Sequence, residues 1–240
     1  MSLSNQQKKF VKSLQLKKNR IKYNLFLVEG EKIVEELLNS DFEVIGVFAT
    51  KDWNGSFIGS LTEVSEQELA SISTLKTPNN VLAVAKQKQQ QLSNNFSKPI
   101  IALDTIQDPG NLGTIIRTAD WFGMNNIVCS ESCVEIYNPK VVQATMGSIF
   151  RLNIVFTSLV DFFKENEHLQ VYGALLDGKN CFTTTLRVDN SVLLMGNESV
   201  GINPKLFPYI HEKIAIPKFG HAESLNVAIA TSILCAEFVK

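Results

Sequence analysis

The chain has 240 residues, 45% of them hydrophobic and 20% charged, with a formal net charge of −1, the balance of an ordinary globular protein. No apolar run reaches the ~18 residues needed to span a bilayer, and the polar stretch Met1 to Lys12 lacks the apolar core of a secretory signal, so the expectation is a soluble, cytoplasmic protein. Cys129, Cys133, Cys181 and Cys235 show no CxxC spacing, and His168, His211 and His221 are scattered, which reads as buried free thiols in a reducing compartment and no metal site.

Residues 1–28 hold Lys8, Lys9, Lys12, Lys17, Lys18, Arg20 and Lys22 and no acid. Such a run is either a solvated helix face or a phosphate-binding face, which gains affinity by releasing counterions from a nucleic acid. Apolar periodicity predicts a basic helix over Asn5–Lys18 with Phe10, Val11 and Leu14 inward. Phe26–Val28 reads as a strand, Lys32–Leu38 as a helix, Val44–Ala49 as a buried strand, Glu63–Ser65 as a shorter one and Gln67–Ile72 as a helix. Val81–Ala85 is a strand entered from the turn Thr77–Asn80. Alternating elements of this length predict a small α/β layer domain over residues 1–85. Residues 86–98, rich in Gln, Asn and Ser, have little to bury and read as a flexible linker.

From Pro99 the alternation strengthens. Strands are expected at Ile100–Leu103, Ile127–Cys129, Leu152–Phe156, Val171–Leu175, Val192–Met195 and Lys213–Ile216. Helices are expected at Asn111–Phe122, Pro139–Met146, Ser158–Glu165 and Pro204–Tyr209, with a last apolar helix from Leu225 to Phe238 capped by Ser224. This grammar predicts a parallel sheet covered on both faces over residues 99–240. No G-x-G-x-x-G is present, so the dinucleotide-binding fingerprint is excluded. Three polar, glycine-bearing loops follow strand ends: Asp108-Pro-Gly-Asn111, Gly196-Asn-Glu198 and Pro217 to Asn226, the last expected to turn at Gly220. Ligands of open α/β sheets sit at the carboxyl ends of strands, so the three loops predict one shared site. Each polar member also has a structural reading, Asn111 and Ser224 as helix caps, Glu198 as a cap and Arg117 as half of a surface ion pair.

The stretches Asp108–Ala119, Leu194–Gly201 and Ile216–Glu237 together resemble the three ordered motifs of the SpoU/TrmH branch of the SPOUT methyltransferases. The likeness covers residues 99–240 closely. Arg20, Phe26–Gly30 and Thr77–Ala83 look like the substrate-binding domain attached to many such enzymes. The resemblance implies an α/β SPOUT-type fold with a C-terminal trefoil knot and a homodimer. It implies transfer of a methyl group from S-adenosyl-L-methionine to a ribose 2′-hydroxyl of RNA, with ribosomal RNA favoured over transfer RNA. It further implies a reaction centre of Asn111, Arg117, Glu198, Ser224 and Asn226. The cofactor would lie against Leu175, Gly178, Met195, Gly196, Ile216 and Leu225, RNA would touch Arg20 and Lys140, and no metal would be needed. A guanidinium stays protonated throughout the usable pH range, so Arg117 suits holding a phosphate or a developing oxyanion better than abstracting a proton. Asp108 stands where Asn is common in the family and serves the same turn. Two rival readings stay open on sequence alone: a noncatalytic RNA-binding or assembly factor on the same fold, and an enzyme that methylates a base.

Overall fold

Ser4 begins the first helix by accepting the N–H of Gln7, while the Gln7 side chain returns to the Ser4 N–H, a capping box. The structure, a computed structural model, describes residues 3–92 and 96–240. The single basic helix expected over Asn5–Lys18 is two, α1 (Asn5–Ser13) and α2 (Lys17–Tyr23). The break has a specific cause. Arg20 is buried, and its Nη1 donates to the carbonyls of Leu14 (2.9 Å) and Gln15 (2.7 Å). A continuous helix would give those carbonyls to N–H groups four residues on. Val11 and Leu14 are buried as expected, whereas Phe10 is not.

The chain continues through β1 (Leu25–Glu29), α3 (Glu31–Leu38), β2 (Val44–Ala49), β3 (Leu61–Glu63), α4 (Glu66–Ile72) and β4 (Val81–Lys86). These strands form a mixed sheet in the order β1-β4-β2-β3, with β4 antiparallel to β1 and β2, and β3 parallel to β2. Leu14, Leu27, Leu69, Ile72 and Leu82 are at its core.

This first unit is not contiguous in sequence. The stretch up to Gln89 clusters with Glu135–Arg151, so the compact units do not follow the expected division into residues 1–85 and 99–240. The added segment carries α6 (Pro139–Thr145) and a 3-10 turn over Ser148–Phe150. Its aromatic rings explain where it goes: Tyr137 lies 4.4 Å from Phe26 and Phe150 lies 5.2 Å from Phe42, centroid to centroid. Burial pushes the Tyr137 phenol up to about 12. Glu135 receives Arg20 Nε at 2.9 Å and Nη2 at 2.7 Å.

The expected linker is also more engaged than its composition suggests. The Gln87 side chain donates to the carbonyls of Arg20 and Leu25. Lys88 exchanges backbone hydrogen bonds with the Tyr137 hydroxyl. Leu92 and Phe96 pack on the core of the second unit. Positions 93–95 of that stretch lie outside the described residues.

The second unit contains β5 (Ile100–Leu103), α5 (Pro109–Trp121), β6 (Asn126–Cys129), β7 (Asn153–Phe156), α7 (Leu159–Glu165), β8 (Gln170–Asn180), β9 (Ser191–Met195), a 3-10 stretch over Pro204–Tyr209, β10 (Glu212–Ala215) and α8 (Val227–Val239). All six strands are parallel, in the order β10-β8-β9-β5-β6-β7. Every residue of β5, β6 and β9 is buried, as in a parallel sheet covered on both faces. Strand β8 runs past the expected Leu175. It pairs with β10 at Tyr172 and Gly173 and again at Lys179 and Asn180, with residues 174–178 thrown out of register between. No helix among the described residues is long and apolar enough to cross a membrane.

Candidate active site

Because β5, β9 and β10 run in one direction, the loops that follow them leave the same rim of the sheet. Leu103 pairs with Met195, so the first two loops start level. Asp108 caps α5, its Oδ1 accepting the Asn111 N–H at 2.8 Å. Pro109 follows at the first helical position, where its missing N–H costs nothing. The helix therefore starts two residues earlier than expected, and Asn111 is not its cap.

The Asn111 side chain is left to bridge the three loops. Its Nδ2 donates to Glu198 Oε1 at 2.6 Å, and its Oδ1 accepts from Asn226 Nδ2 at 3.0 Å. Asn226, rather than the expected Ser224, caps α8, with Oδ1 accepting the N–H groups of Ala228 (3.0 Å) and Ile229 (3.3 Å). The polarity of this row is determined by its ends. An ionised carboxylate only accepts, and a carbonyl engaged by two backbone N–H groups leaves its amide NH2 to donate sideways. Asn111 can satisfy both neighbours in one orientation only.

Arg117 lies further along α5. It is exposed and has no hydrogen-bond or ion-pair partner among the described residues, so the surface ion pair is not realised. Helices α5 and α8 pack together, joined by Thr118 Oγ1 and Ser232 Oγ at 3.0 Å. Ser224 is exposed, two residues before the cap, and is likewise unpartnered among the described residues.

Sequence reasoning missed the residues that hold this arrangement. Thr105 has φ +60°, rare for a β-branched residue. Its N–H donates to Ser130 Oγ (2.8 Å), its hydroxyl bonds Asp104 Oδ1 (3.0 Å) and Ser132 Oγ (2.9 Å), and its carbonyl accepts from Asn197 Nδ2 (2.8 Å). Asn197 Oδ1 in turn accepts the N–H groups of Ser199 (2.8 Å) and Val200 (3.2 Å), and its backbone pairs with Gly201 in both directions. Buried Asp104 accepts the Asn203 N–H at 2.7 Å. The loop that bears Glu198 is thereby fastened to the loop that precedes α5. Asn197 lies inside the Leu194–Gly201 motif, a signal that could have found it; nothing local marks Thr105.

Two glycines in the predicted set are required by space. A Cβ on Gly178 would lie 2.6 Å from Ile214 N and 2.8 Å from its Cα, and a Cβ on Gly196 would run into the backbone of Gly201 and Ile202. Gly220 differs: the chain bends there as expected, but its φ is not positive and open space surrounds it, so the bend does not require glycine. From Pro217 to Leu225 no backbone N–H or C=O is hydrogen-bonded among the described residues. Leu225 is 47% exposed, Ile216 is half-buried, Met195 is buried at the end of β9, and Leu175 packs partly on the core. Unspent backbone donors and acceptors beside apolar side chains fit a planar heteroaromatic ring such as adenine.

The RNA candidates divide. Lys140 is exposed at the start of α6. Arg20 is a correction: its side chain is 2% exposed and every nitrogen of the guanidinium is engaged inside the first unit, so it holds the α1–α2 corner and offers nothing to RNA. All four cysteines are free and buried. Among the described residues no three His, Cys, Asp or Glu side chains cluster as metal ligands.

Residues 98–236 match the SpoU rRNA Methylase family, and residues 5–83 match the MRM3-like substrate binding domain. One relative, the 23S rRNA (guanosine(2553)-2'-O)-methyltransferase RlmP of Bacillus subtilis, is 33% identical over 242 residues, which cover 97% of this chain and 96% of that protein. Among solved structures, an AdoMet bound rRNA methyltransferase from Sinorhizobium meliloti superimposes with a TM-score of 0.89 at 30% identity, covering 99% of this chain and 97% of that one. The SpoU methyltransferase AviRb from Streptomyces viridochromogenes, in complex with AdoMet, gives 0.87 at 22% identity over 98% and 97%, a likeness of fold.

Proposed function

The chain belongs to the SpoU rRNA Methylase family, and on that premise we propose that it transfers a methyl group from S-adenosyl-L-methionine to a ribose 2′-hydroxyl of ribosomal RNA. The observation that carries this reading is the row Glu198–Asn111–Asn226, which joins three loops at one rim. S-adenosyl-L-methionine supplies a methyl group activated on a sulfonium. We assign its binding to the backbones of Gly178 and Gly196, to Ile216 and Leu225 beside unspent backbone groups, and to Met195 and Leu175.

A ribose 2′-hydroxyl is a poor nucleophile, so the protein must position it and manage its proton. Arg117, exposed and unpaired, is assigned to the target nucleotide, where its forked donors hold a phosphate or a developing oxyanion. Glu198 has one oxygen engaged by Asn111 and a second left to accept from the hydroxyl. Asn111 and Asn226 orient that carboxylate, and Ser224 adds a hydroxyl at the mouth.

We read the chain further as a knotted homodimer in the cytoplasm, with the first unit recruiting RNA. The knot rests on the match of residues 98–236 to the SpoU rRNA Methylase family. Exposed Trp121 on α5 and Ile229 on α8 support a partner over those helices. Buried free thiols support a reducing compartment. The test is transfer of a tritiated methyl group to a 23S rRNA fragment, followed by alkaline hydrolysis. A 2′-O-methyl group leaves an alkali-resistant dinucleotide carrying the label. Label recovered on a base, or accepted by transfer RNA alone, would overturn the reading.

A further inference from the structure

Methyl transfer at the sheet rim leaves the corner between α1 and α2 without a role. Phe10, Leu16, Ile21 and Tyr23 are 37%, 54%, 63% and 41% exposed there, a concentration of apolar surface of the kind that marks an interaction site. Phe10 and Tyr23 meet edge to face with centroids 5.1 Å apart, and Lys22 Nζ lies 5.1 Å from the centre of the Tyr23 ring. Lys9, Lys12, Lys17, Lys18 and Lys22 are exposed and form no ion pair among the described residues. Among the described residues, Lys8 alone of this run reaches an acid, Glu68 at 3.4 Å.

The corner is also stiff. Arg20 clamps it from inside through two carbonyls and Glu135, so rings and ammonium groups are presented on a fixed backbone. A duplex offers phosphates but hides its base faces in the stack. Unpaired nucleotides offer both, phosphate for lysine and a π face for an aromatic ring. We propose that the α1–α2 corner docks a single-stranded segment of RNA, with a base stacked on the Phe10–Tyr23 pair and the flanking phosphates on Lys17, Lys18 and Lys22. This rests on the RNA reading above but concerns a surface of the first unit, which takes no part in the chemistry.

The test uses the full chain and fluorescence anisotropy with a short labelled oligouridine and a duplex RNA of equal length. Tyr23→Leu keeps apolar bulk but removes the ring. It should weaken oligouridine binding roughly 5- to 150-fold, leave duplex binding and the melting temperature unchanged, and be rescued by Tyr23→Phe. Lys17→Ala and Lys18→Ala should each lower the slope of log affinity against log salt by about 0.7. Oligouridine affinity unchanged in Tyr23→Leu, or a wild type that prefers the duplex, overturns the proposal. So does a fall in melting temperature that tracks the loss for both probes, because the ring pair would then only latch the two helices. A wild type that binds oligouridine through Tyr23 yet transfers no methyl group supports this surface and sinks the catalytic reading. Active transfer with wild-type oligouridine affinity and wild-type KM for RNA in Tyr23→Leu does the reverse.

Discussion

Asn226 does two jobs, and two substitutions separate them. Alanine removes the cap on Ala228 and Ile229 together with the sideways bond to Asn111. Loss of such a cap costs about 1 kcal/mol, and an exposed lateral hydrogen bond adds about 0.5–1 kcal/mol, giving about 1.5–2 kcal/mol in all. At roughly 2–4 °C per kcal/mol for a protein of this size, Asn226→Ala should lower the transition of the unit carrying α8 by about 3–8 °C. Serine caps about as well as asparagine but is too short to reach Asn111, so Asn226→Ser should recover at least half of that loss. Both variants should lose methyl transfer by about 10- to 100-fold, because Asn111, which holds the Glu198 carboxylate, loses the bond that fixes its own orientation. Scanning calorimetry and tritium transfer at saturating donor and RNA give the two readouts. Wild-type transfer in Asn226→Ser would refute the reasoning, since the row would then be a bystander.

Arg117→Ala should cut transfer at least ~100-fold while stability stays within about 0.5 kcal/mol, because the side chain is exposed and unpaired. Calorimetric affinity for S-adenosyl-L-methionine should not move, and joint loss of affinity and transfer would give Arg117 a structural role instead. Gly178→Ala places a methyl group against the Ile214 backbone. Overpacking of about 1–3 kcal/mol should weaken donor binding roughly tenfold or more, and wild-type affinity would show that the strands part freely. Arg20→Met strands the Glu135 carboxylate, which keeps some solvent contact, so a cost of about 3 kcal/mol, the low end for a broken buried pair, is expected. The salt dependence of RNA binding should be unchanged in that variant; a shallower slope at full stability would restore Arg20 as a phosphate contact.

The strands were legible because parallel, doubly covered strands are short continuous apolar runs, and Val44–Ala49 and Ile100–Leu103 are recovered to the residue. The convergence of Asn111, Glu198 and Asn226 was legible from strand direction alone. What the sequence concealed were contacts made by one side chain at long range. Arg20 looked like one more cation in a basic run, yet its partner Glu135 is 115 positions away, and the same guanidinium takes the Leu14 and Gln15 carbonyls where the helix breaks. The caps shifted because several candidates competed. Asp108 and Asn226 won over Asn111 and Ser224 through where the backbone N–H groups point, which local sequence does not encode. Thr105 is held in its conformation by Ser130, Ser132 and Asn197, so no window around it could reveal the strain.

The place of Glu135–Arg151 in the first unit bears on how the chain is made. Ribosomes release residues in order, so the strands up to Lys86 emerge well ahead of the rings that will cover Phe26 and Phe42. Until Glu135 is out, Arg20 lacks its carboxylate partner, and until Phe150 follows the sheet waits partly bare. A cut near residue 90 would make that waiting state permanent: one fragment keeps an unanswered guanidinium, and the other carries Tyr137, Ile149 and Phe150 into water. The two family likenesses meet near that cut, at residues 5–83 and 98–236, yet the compact first unit needs residues from both sides of it.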